Sequence, residues 1–336
     1  EMSASLVGSE MCIRDRAKGV IDESVRGMDL YILVDVCNYS LTYSMSGNTN
    51  HMSPDDHYQN LKRIIAAVGG KAKRINVIMP FLYESRQHKR SSRESLDCAL
   101  ALQELTHMGV DNIITFDAHD PRVQNAIPLS GFETVRPTYQ FVKGLLDRYD
   151  DLIIDSDHMM AISPDEGATE RAVYLANVLN LDMGMFYKRR DYTRVVNGRN
   201  PIVAHEFLGS SVEGKDVIIL DDMISSGDSI LDVAKQLKSR NAKRIFAAAT
   251  FGLFTNGLDK FDEAYESGLI DGVLTTNLIY QTPELLSRPY YINCDMSKYV
   301  ALMIDTLNHD GSISDILDPS ERIQVCVEEY KKAHGQ

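Results

Sequence analysis

The sequence predicts an α/β protein with two tandem domains, each with a mainly parallel sheet flanked by helices. Three observations lead to this prediction: short and strongly apolar strands, amphipathic helices between them, and a resemblance between the two halves of the chain. The length of 336 residues is sufficient for two domains that each have a core of their own.

The predicted strands are short runs of almost continuous apolar residues. Such runs are typical of strands that are buried on both faces, as in a parallel sheet. They lie at residues 30–36, 75–79, 113–116, 152–154, 217–220 and 245–250.

Between the strands, apolar residues recur at the spacing of an amphipathic helix. One such stripe consists of Ile230, Val233, Ala234 and Leu237. A second stripe consists of Leu96, Ala99, Leu100 and Leu105. Strands that alternate with helices in this way indicate an α/β fold.

The two halves of the chain repeat one order of features. In residues 95–116 and again in residues 229–248, a serine opens a helix, a short turn ends it and an apolar strand follows. A duplicated domain explains this order; the alternative is that any two strand–helix units look alike. The charged stretch at 148–151 predicts a boundary, with a first domain at 17–148, a second at 149–300, and a C-terminal helix and tail at 301–336.

The composition excludes several classes of protein. A formal net charge of -13 argues against sequence-independent nucleic-acid binding, which requires a basic field. No apolar run is long enough to cross a membrane, so we expect no membrane partner. The cysteines are scattered without paired spacing, which favours free thiols in the cytoplasm over disulfides or a zinc site. They are Cys12, Cys37, Cys98, Cys294 and Cys326.

A strand that runs into a glycine-containing loop is the strongest candidate site. The apolar run 217–220 ends at Asp221 and Asp222, and the loop 225–229 then leads into a helix. The backbone N–H groups at a helix start favour an anion, and Gly227 allows a ligand to approach closely. The alternative is an ordinary helix capped by Asp228 or Ser229, which leaves two adjacent carboxylates at the end of an apolar strand unexplained. The loop therefore predicts a phosphate site.

This loop resembles the phosphoribosyl pyrophosphate motif of type I phosphoribosyltransferases. Further motifs make residues 17–317 similar to the ribose-phosphate pyrophosphokinase family; they lie at 23–27, 74–80, 85–87, 116–119, 163–165 and 188–190. The resemblance implies two tandem type I phosphoribosyltransferase-like domains, with ATP on the first and ribose 5-phosphate on the second. It implies that the ribose phosphate is bound by Asp221, Asp222, Ser225, Ser226, Gly227, Asp228 and Ser229.

The same resemblance assigns the nucleotide, the metal and the catalytic cations. It places ATP at Arg86, Gln87 and His119, with Mg²⁺ as cofactor at His119 and Asp165. On chemistry alone Asp165 is the better magnesium ligand, because Mg²⁺ prefers oxygen. Lys188 and Arg190 open the family's catalytic loop and are the implied catalytic residues.

The chain departs from the family pattern at several positions. The family's loop reads Asp-Asp-Met-Ile-Asp-Thr-Gly-Gly-Thr, whereas this chain has Ser225, Ser226 and Asp228 at the third Asp, the Thr and the second Gly. His88 follows the Arg-Gln pair where the family has Asp. Residues 1–16 replace the family's first strand and adenine loop, and we expect this segment to be non-native.

We therefore expect an enzyme, a ribose-phosphate diphosphokinase that converts ATP and ribose 5-phosphate to phosphoribosyl pyrophosphate and AMP. The alternative is a non-catalytic or regulatory phosphoribosyl-binding homologue, which the substituted loop and the missing adenine segment favour. The resemblance also implies a homo-oligomer of dimers and hexamers.

Overall fold

A computed structural model describes residues 7–13, 16–190 and 202–335, with side chains at 17–187 and 206–335. The strands are β1 Val7–Ile13, β2 Arg16–Ile21, β3 Asp29–Leu33, β4 Thr42–Met45, β5 Asn48–His51, β6 Arg74–Ile78, β7 Asn112–Phe116, β8 Gly131–Val135, β9 Met159–Ser163, β10 Asp182–Arg190, β11 Ile202–Leu208, β12 Asp216–Ile224, β13 Ile245–Gly252, β14 Gly272–Thr276 and β15 Tyr291–Cys294.

The helices alternate with these strands. They are α1 Pro54–Val68, α2 Asp97–His107, α3 Thr138–Arg148, α4 Thr169–Leu179, α5 Asp228–Lys238, α6 Asp259–Glu266, α7 Pro283–Leu286, α8 Ser297–Asn308, α9 Ser314–Leu317 and α10 Ser320–Ala333, with a 3-10 helix at Pro121–Ala126.

The chain forms two compact units. The first runs to Arg136 and includes residues 278–280 and 297–317, and the second contains 137–277, 281–296 and 318 onwards. Helix α3, which the predicted boundary at 148 assigned to the first domain, packs in the second core through Phe141 and Leu145. The boundary prediction therefore differs from the packing by the length of one helix.

The first unit contains a parallel sheet with the order β3-β6-β7-β8 within the described ranges. Its core joins the strands to α1 and α2 through residues such as Leu61, Val77 and Leu102. Helix α1 begins at a capping box, in which Ser53 and Asp56 each bond the other's backbone N–H, so local chemistry fixes its start.

The second unit contains the order β11-β10-β9-β12-β13-β14-β15 in the part of the chain that the structure describes. All neighbours are parallel except β10 and β11. Side chains of β12 alternate: Ile219 packs in the core that includes α5, and Leu220 in the core that includes α3 and α4. The strand is buried on both faces, as its continuous apolar run predicts.

Two local predictions are wrong. Residues 152–154 form no strand, although Leu152 and Ile154 are buried, and the strand here is β9. The Leu152 N–H donates to the Tyr330 hydroxyl (3.0 Å). The stripe predicted for α2 has the wrong phase, because Leu100 is 55% exposed while Leu102 is buried. In both cases packing, and not apolarity alone, determined the outcome.

Residues 7–13 and 320–333 form a strand and a helix near the two ends of the described chain. Strand β1 pairs antiparallel with β2, and the prediction that 1–16 are non-native stays a prediction, with 1–6 and 14–15 outside the described residues. Helix α10 buries Ile323 and Val327 in the second core. The Tyr330 hydroxyl on α10 donates to the Tyr149 carbonyl (2.8 Å), so this helix is part of the second unit.

Two further features concern membrane-spanning helices and the cysteines. In the described ranges, no helix combines the length and the apolar character that a bilayer crossing requires. Cys37, Cys98, Cys294 and Cys326 are free thiols.

Candidate functional site

The predicted ribose phosphate residues lie at the carboxyl edge of the second sheet. Strands β9 and β12 are parallel neighbours, with Ile162 opposite Ile219. Residues 163–165 and the last part of β12, residues 220–224, therefore lie at the carboxyl ends of neighbouring strands, where open α/β sheets bind their ligands. The fold places Asp165 near Asp221. The negative charge of Asp165 adds to the rise in the pKa of Asp221 that burial causes.

Two adjacent carboxylates form the floor of this edge. Asp222 is only 4% exposed, and its backbone N–H donates to Asp221 Oδ1 (2.8 Å). Burial raises the pKa of Asp221 well above its ordinary value, and the charges of Asp222 and Asp165 add to the rise. Carboxylates held together against this cost suit a ligand that supplies hydroxyl donors or a cation.

The loop after β12 is shaped around a glycine. Gly227 has φ of 81°, and a Cβ there would lie 2.4 Å from Cε2 of Phe261. Only glycine meets both conditions, so the backbone can turn from β12 into α5 against the buried Phe261 ring. The turn is held by the Thr255 N–H, which donates to the Ser225 carbonyl (3.0 Å).

The residue at the helix N-cap is Gly227, and the backbone N–H of Asp228, the first helical residue, donates to Ser226 Oγ (3.4 Å). The cap is therefore neither Asp228 nor Ser229, the two residues that the alternative of an ordinary capped helix named. The Asp228 carboxylate instead accepts from Lys260 Nζ (2.5 Å) and from Ser226 Oγ (2.9 Å). The Lys260 ammonium is the main reason that the pKa of Asp228 lies below its ordinary value.

Asp165 lies in the turn between β9 and α4. Its Oδ1 accepts from the Gly167 N–H (3.0 Å), and its carbonyl accepts from Ser163 Oγ (2.6 Å). These bonds fix the turn at the edge that carries Asp221 and Asp222. Asp165, which follows β9, and the pair Asp221 and Asp222 on the neighbouring strand β12 thus lie at the same end of the sheet.

The predicted catalytic residues Lys188 and Arg190 end strand β10. Their backbones pair antiparallel with His205 and Ile202 of β11, and β10 itself is the parallel neighbour of β9. Their side chains lie outside the described residues, as does the polar stretch 191–201. The structure therefore places the backbone of this segment beside the strand that leads to Asp165.

In the first unit, the predicted ATP residues Arg86 and Gln87 follow β6. Arg86 is exposed, and the segment folds against the start of α2, where Gln87 Nε2 donates to the Ser95 carbonyl (3.0 Å). The neighbouring cations Lys89, Arg90 and Arg93 are also exposed, so this loop presents a basic surface to solvent. A basic surface of this kind suits the phosphates of a nucleotide.

His119 follows β7, the neighbour of β6, and its ring centroid lies 5.3 Å from that of His88. His88 Nε2 lies 3.5 Å from Asp120 Oδ2. Asp120 is bound by Arg122 (Nη2–Oδ2 2.5 Å), which lowers the pKa of Asp120 to about 2. Sequence reasoning identified His119 and noted His88, but it missed the charged pair beside them.

The structure thus forms two clusters, one per unit. Asp165, Asp221, Asp222 and the loop 225–229 share the edge of the second sheet, whereas Arg86, Gln87 and His119 belong to the first unit. The two predicted magnesium contacts, His119 and Asp165, are in different units. Within the described ranges, no group of three or more His, Cys, Asp and Glu side chains is arranged to hold a metal ion.

Comparison with protein families gives two matches along the chain. Residues 14–109 match the N-terminal domain of ribose phosphate pyrophosphokinase. Residues 136–276 match the phosphoribosyl transferase domain. The second match begins at Arg136, where the N-terminal segment of the first unit ends.

Individual relatives carry the same name. The ribose-phosphate pyrophosphokinase of Mycoplasma genitalium is 31% identical over 77% of this chain and 71% of its own length. That of Vibrio parahaemolyticus is 28% identical over 88% and 85%. Among solved structures, phosphoribosylpyrophosphate synthetase from Mycobacterium smegmatis has a TM-score of 0.74 at 22% identity, with 92% of each chain covered, which shows a shared fold.

Proposed function

The chain belongs to the ribose-phosphate pyrophosphokinase family, and we propose that it transfers pyrophosphate from Mg-ATP to the C1 hydroxyl of ribose 5-phosphate. The products are phosphoribosyl pyrophosphate and AMP. The observation that carries the proposal is the pair Asp221 and Asp222, held near the carboxyl end of β12, the strand that leads into the glycine loop.

The second unit holds ribose 5-phosphate in this proposal. The backbone N–H groups of Ser225, Ser226, Gly227, Asp228 and Ser229 bind the 5-phosphate at the start of α5, together with the hydroxyls of Ser225 and Ser229. Asp221 and Asp222 accept hydrogen bonds from the ribose hydroxyls and so orient the C1 hydroxyl for attack on the β-phosphorus of ATP.

The first unit holds ATP. Arg86 and Gln87 are at the start of a basic loop, and a guanidinium binds phosphate oxygens in a bidentate manner. His119 follows the neighbouring parallel strand β7, so its segment emerges at the same end of the sheet as this loop. These positions support the assignment of Arg86, Gln87 and His119 to the nucleotide.

The acidic residues of the second unit fit magnesium. Mg²⁺ prefers oxygen ligands and usually keeps several waters while it binds one or two carboxylates and substrate phosphates. Asp165, beside Asp221, supplies a carboxylate of this kind, and His119 is the weaker match. When bound, the ion would neutralise charge on the transferring group.

Lys188 and Arg190 are the proposed catalytic residues. Strand β10 places their backbones next to β9, the strand that leads to Asp165. Two cations in this segment stabilise the negative charge that develops on the transferring group. Assembly into homo-oligomeric dimers and hexamers and a cytoplasmic location follow from the family alone and stay predictions.

The test measures AMP formation by the full chain from Mg-ATP, with and without ribose 5-phosphate. We expect AMP only when ribose 5-phosphate is present. Lys188→Ala should lower this rate by about 100-fold while calorimetric binding of ribose 5-phosphate is retained. Arg189→Ala is the matched control, because it removes one charge from the same strand at a position without a proposed role.

Two outcomes contradict the proposal in different ways. A chain that binds ribose 5-phosphate but never releases AMP is the non-catalytic phosphoribosyl-binding homologue, which the substitutions at Ser225 and Asp228 favour. A chain that binds neither substrate has lost the function of both units.

A further inference from the structure

Two consecutive residues of α6 contact the phosphate loop. The buried ring of Phe261 fills the space beside Gly227, and Lys260 binds the Asp228 carboxylate (Nζ–Oδ1 2.5 Å). Phe261 is itself fixed by Phe254, whose ring centroid lies 5.2 Å away in an edge-on arrangement. Helix α6 therefore packs against the loop through both residues.

The loop has an electrostatic problem that α6 addresses. Asp228 is the first residue of α5, where the family pattern has glycine, so a negative charge lies at the place proposed for the 5-phosphate. Like charges in such a position repel and weaken binding. Both oxygens of Asp228 are engaged, one by Lys260 and the other by the Ser226 hydroxyl.

We propose that Lys260 is a positioning residue for the phosphate of ribose 5-phosphate. It holds the Asp228 carboxylate on α6 and balances its charge, so the loop accepts a phosphomonoester although Asp228 replaces glycine. This inference rests on the proposed function, because it concerns the same phosphate site.

The pair is open to experiment because it is exposed. The side chains of Lys260 and Asp228 are 52% and 55% exposed, so their replacement leaves no cavity. Lys235 on α5 also lowers the pKa of Asp228, but its ammonium is paired with Asp232 (3.3 Å). Lys235→Ala is therefore the matched control for the loss of one positive charge near the loop.

The experiment measures ribose 5-phosphate affinity by calorimetry in the full chain. We expect Lys260→Ala to weaken binding about fivefold, the effect of one exposed ion pair. Lys260→Arg should keep the wild-type affinity, because it keeps the positive charge. Lys235→Ala should change the affinity by less than about twofold. Added salt should narrow the difference between wild type and Lys260→Ala.

A double-mutant cycle separates an action through Asp228 from a direct contact with phosphate. In the Asp228→Gly background, Lys260→Ala should have no effect, because the charge that it balances is gone. Equal weakening in both backgrounds would mean that Lys260 binds the phosphate itself and would overturn the proposal, as would unchanged affinity in the single variant. A wild-type chain that does not bind ribose 5-phosphate would overturn the proposed function along with this inference.

Discussion

The two units have matching ion pairs at the amino ends of their strands. Arg74 on β6 binds Asp29 on β3, and Arg244, next to β13, binds Asp216 on β12 (2.7 Å). Each arginine also binds a second aspartate: Asp310 at 2.6 Å in the first unit and Asp151 at 2.7 Å in the second. Each unit therefore has the same kind of ion-pair network at the same position in its sheet, which supports a duplicated domain.

A second contact repeats in the same way. The Asp111 carboxylate accepts from the Ile75 N–H (2.8 Å), and the Asp271 carboxylate accepts from the Ile245 N–H (2.9 Å). In each case the aspartate lies just before the strand that follows in the sheet. The alternative that any two strand–helix units look alike does not explain such matching side-chain contacts.

The carboxyl ends of the strands differ. After β12, residues 225–227 lead directly into α5, whereas the strands β4 and β5 lie between β3 and α1. In the first unit, Asp35 follows β3, and its carboxylate accepts from the N–H groups of Cys37 (2.9 Å) and Tyr280 (2.6 Å). The amino ends of the strands, which we call the shared end, maintain the sheet. The carboxyl ends, which we call the divergent end, determine what each unit binds.

The largest expected effect tests the shared end. Arg244→Met leaves Asp216, whose side chain is 3% exposed, without its countercharge. We expect a loss of about 3 kcal/mol in the free energy of unfolding, measured by urea unfolding followed by circular dichroism. Arg74→Met should act in the same direction but less, because Arg74 is more exposed than Arg244.

A double variant is the control for this prediction. Asp216→Asn combined with Arg244→Met removes the buried charge together with its partner and should recover part of the loss. If Arg74→Met were neutral while Arg244→Met was severe, the two networks would not be equivalent, and the comparison would fail at its strongest point.

A glycine in each unit tests the divergent end. Gly227 and Gly47 have nearly the same backbone angle (φ 81° and 79°), but a Cβ at Gly47 meets nothing within 4 Å. Gly47→Ala should cost about 1 kcal/mol for left-handed backbone. Gly227→Ala should cost about 2 kcal/mol, since it also forces a Cβ into Phe261, and it should abolish ribose 5-phosphate binding.

Thermal unfolding and calorimetry of the two variants measure both effects. Phe261→Leu in the Gly227→Ala background should restore some stability, because it removes ring atoms from the clash. Equal losses for the two alanine variants would show that contact with Phe261 does not shape the loop.

Much of this arrangement could be predicted from the sequence. Strand β12 and helix α5 were predicted because a continuous apolar run and a helical stripe are local patterns. The predictions at Leu152 and Leu100 were wrong because they used apolar character alone. Whether such a residue pairs in a sheet or is buried depends on residues far along the chain. Lys260 could not be found, since only packing of α6 brings it to Asp228.

The smallest expected effect compares the aspartates at the divergent end. The pKa of Asp221 is raised by burial and by Asp222, so its native form resists ionisation. The stability that this group contributes is therefore complete below its unfolded pKa of about 4 and is lost as the pH rises through the higher folded pKa. Asp221→Asn cannot ionise and keeps an oxygen for the Asp222 N–H.

We therefore expect Asp221→Asn to match wild type near pH 4 and to be about 1 kcal/mol more stable at pH 8, while its affinity for ribose 5-phosphate falls. Burial also raises the pKa of Asp35, but this carboxylate serves two backbone N–H groups, and an asparagine would turn a donor toward one of them. Asp35→Asn should therefore destabilise the protein by about 1 kcal/mol. Urea unfolding of both variants across this pH range decides the matter: opposite signs at pH 8 mean that the second unit maintains a strained acidic pair for its ligand, whereas the first uses its aspartate to hold the fold.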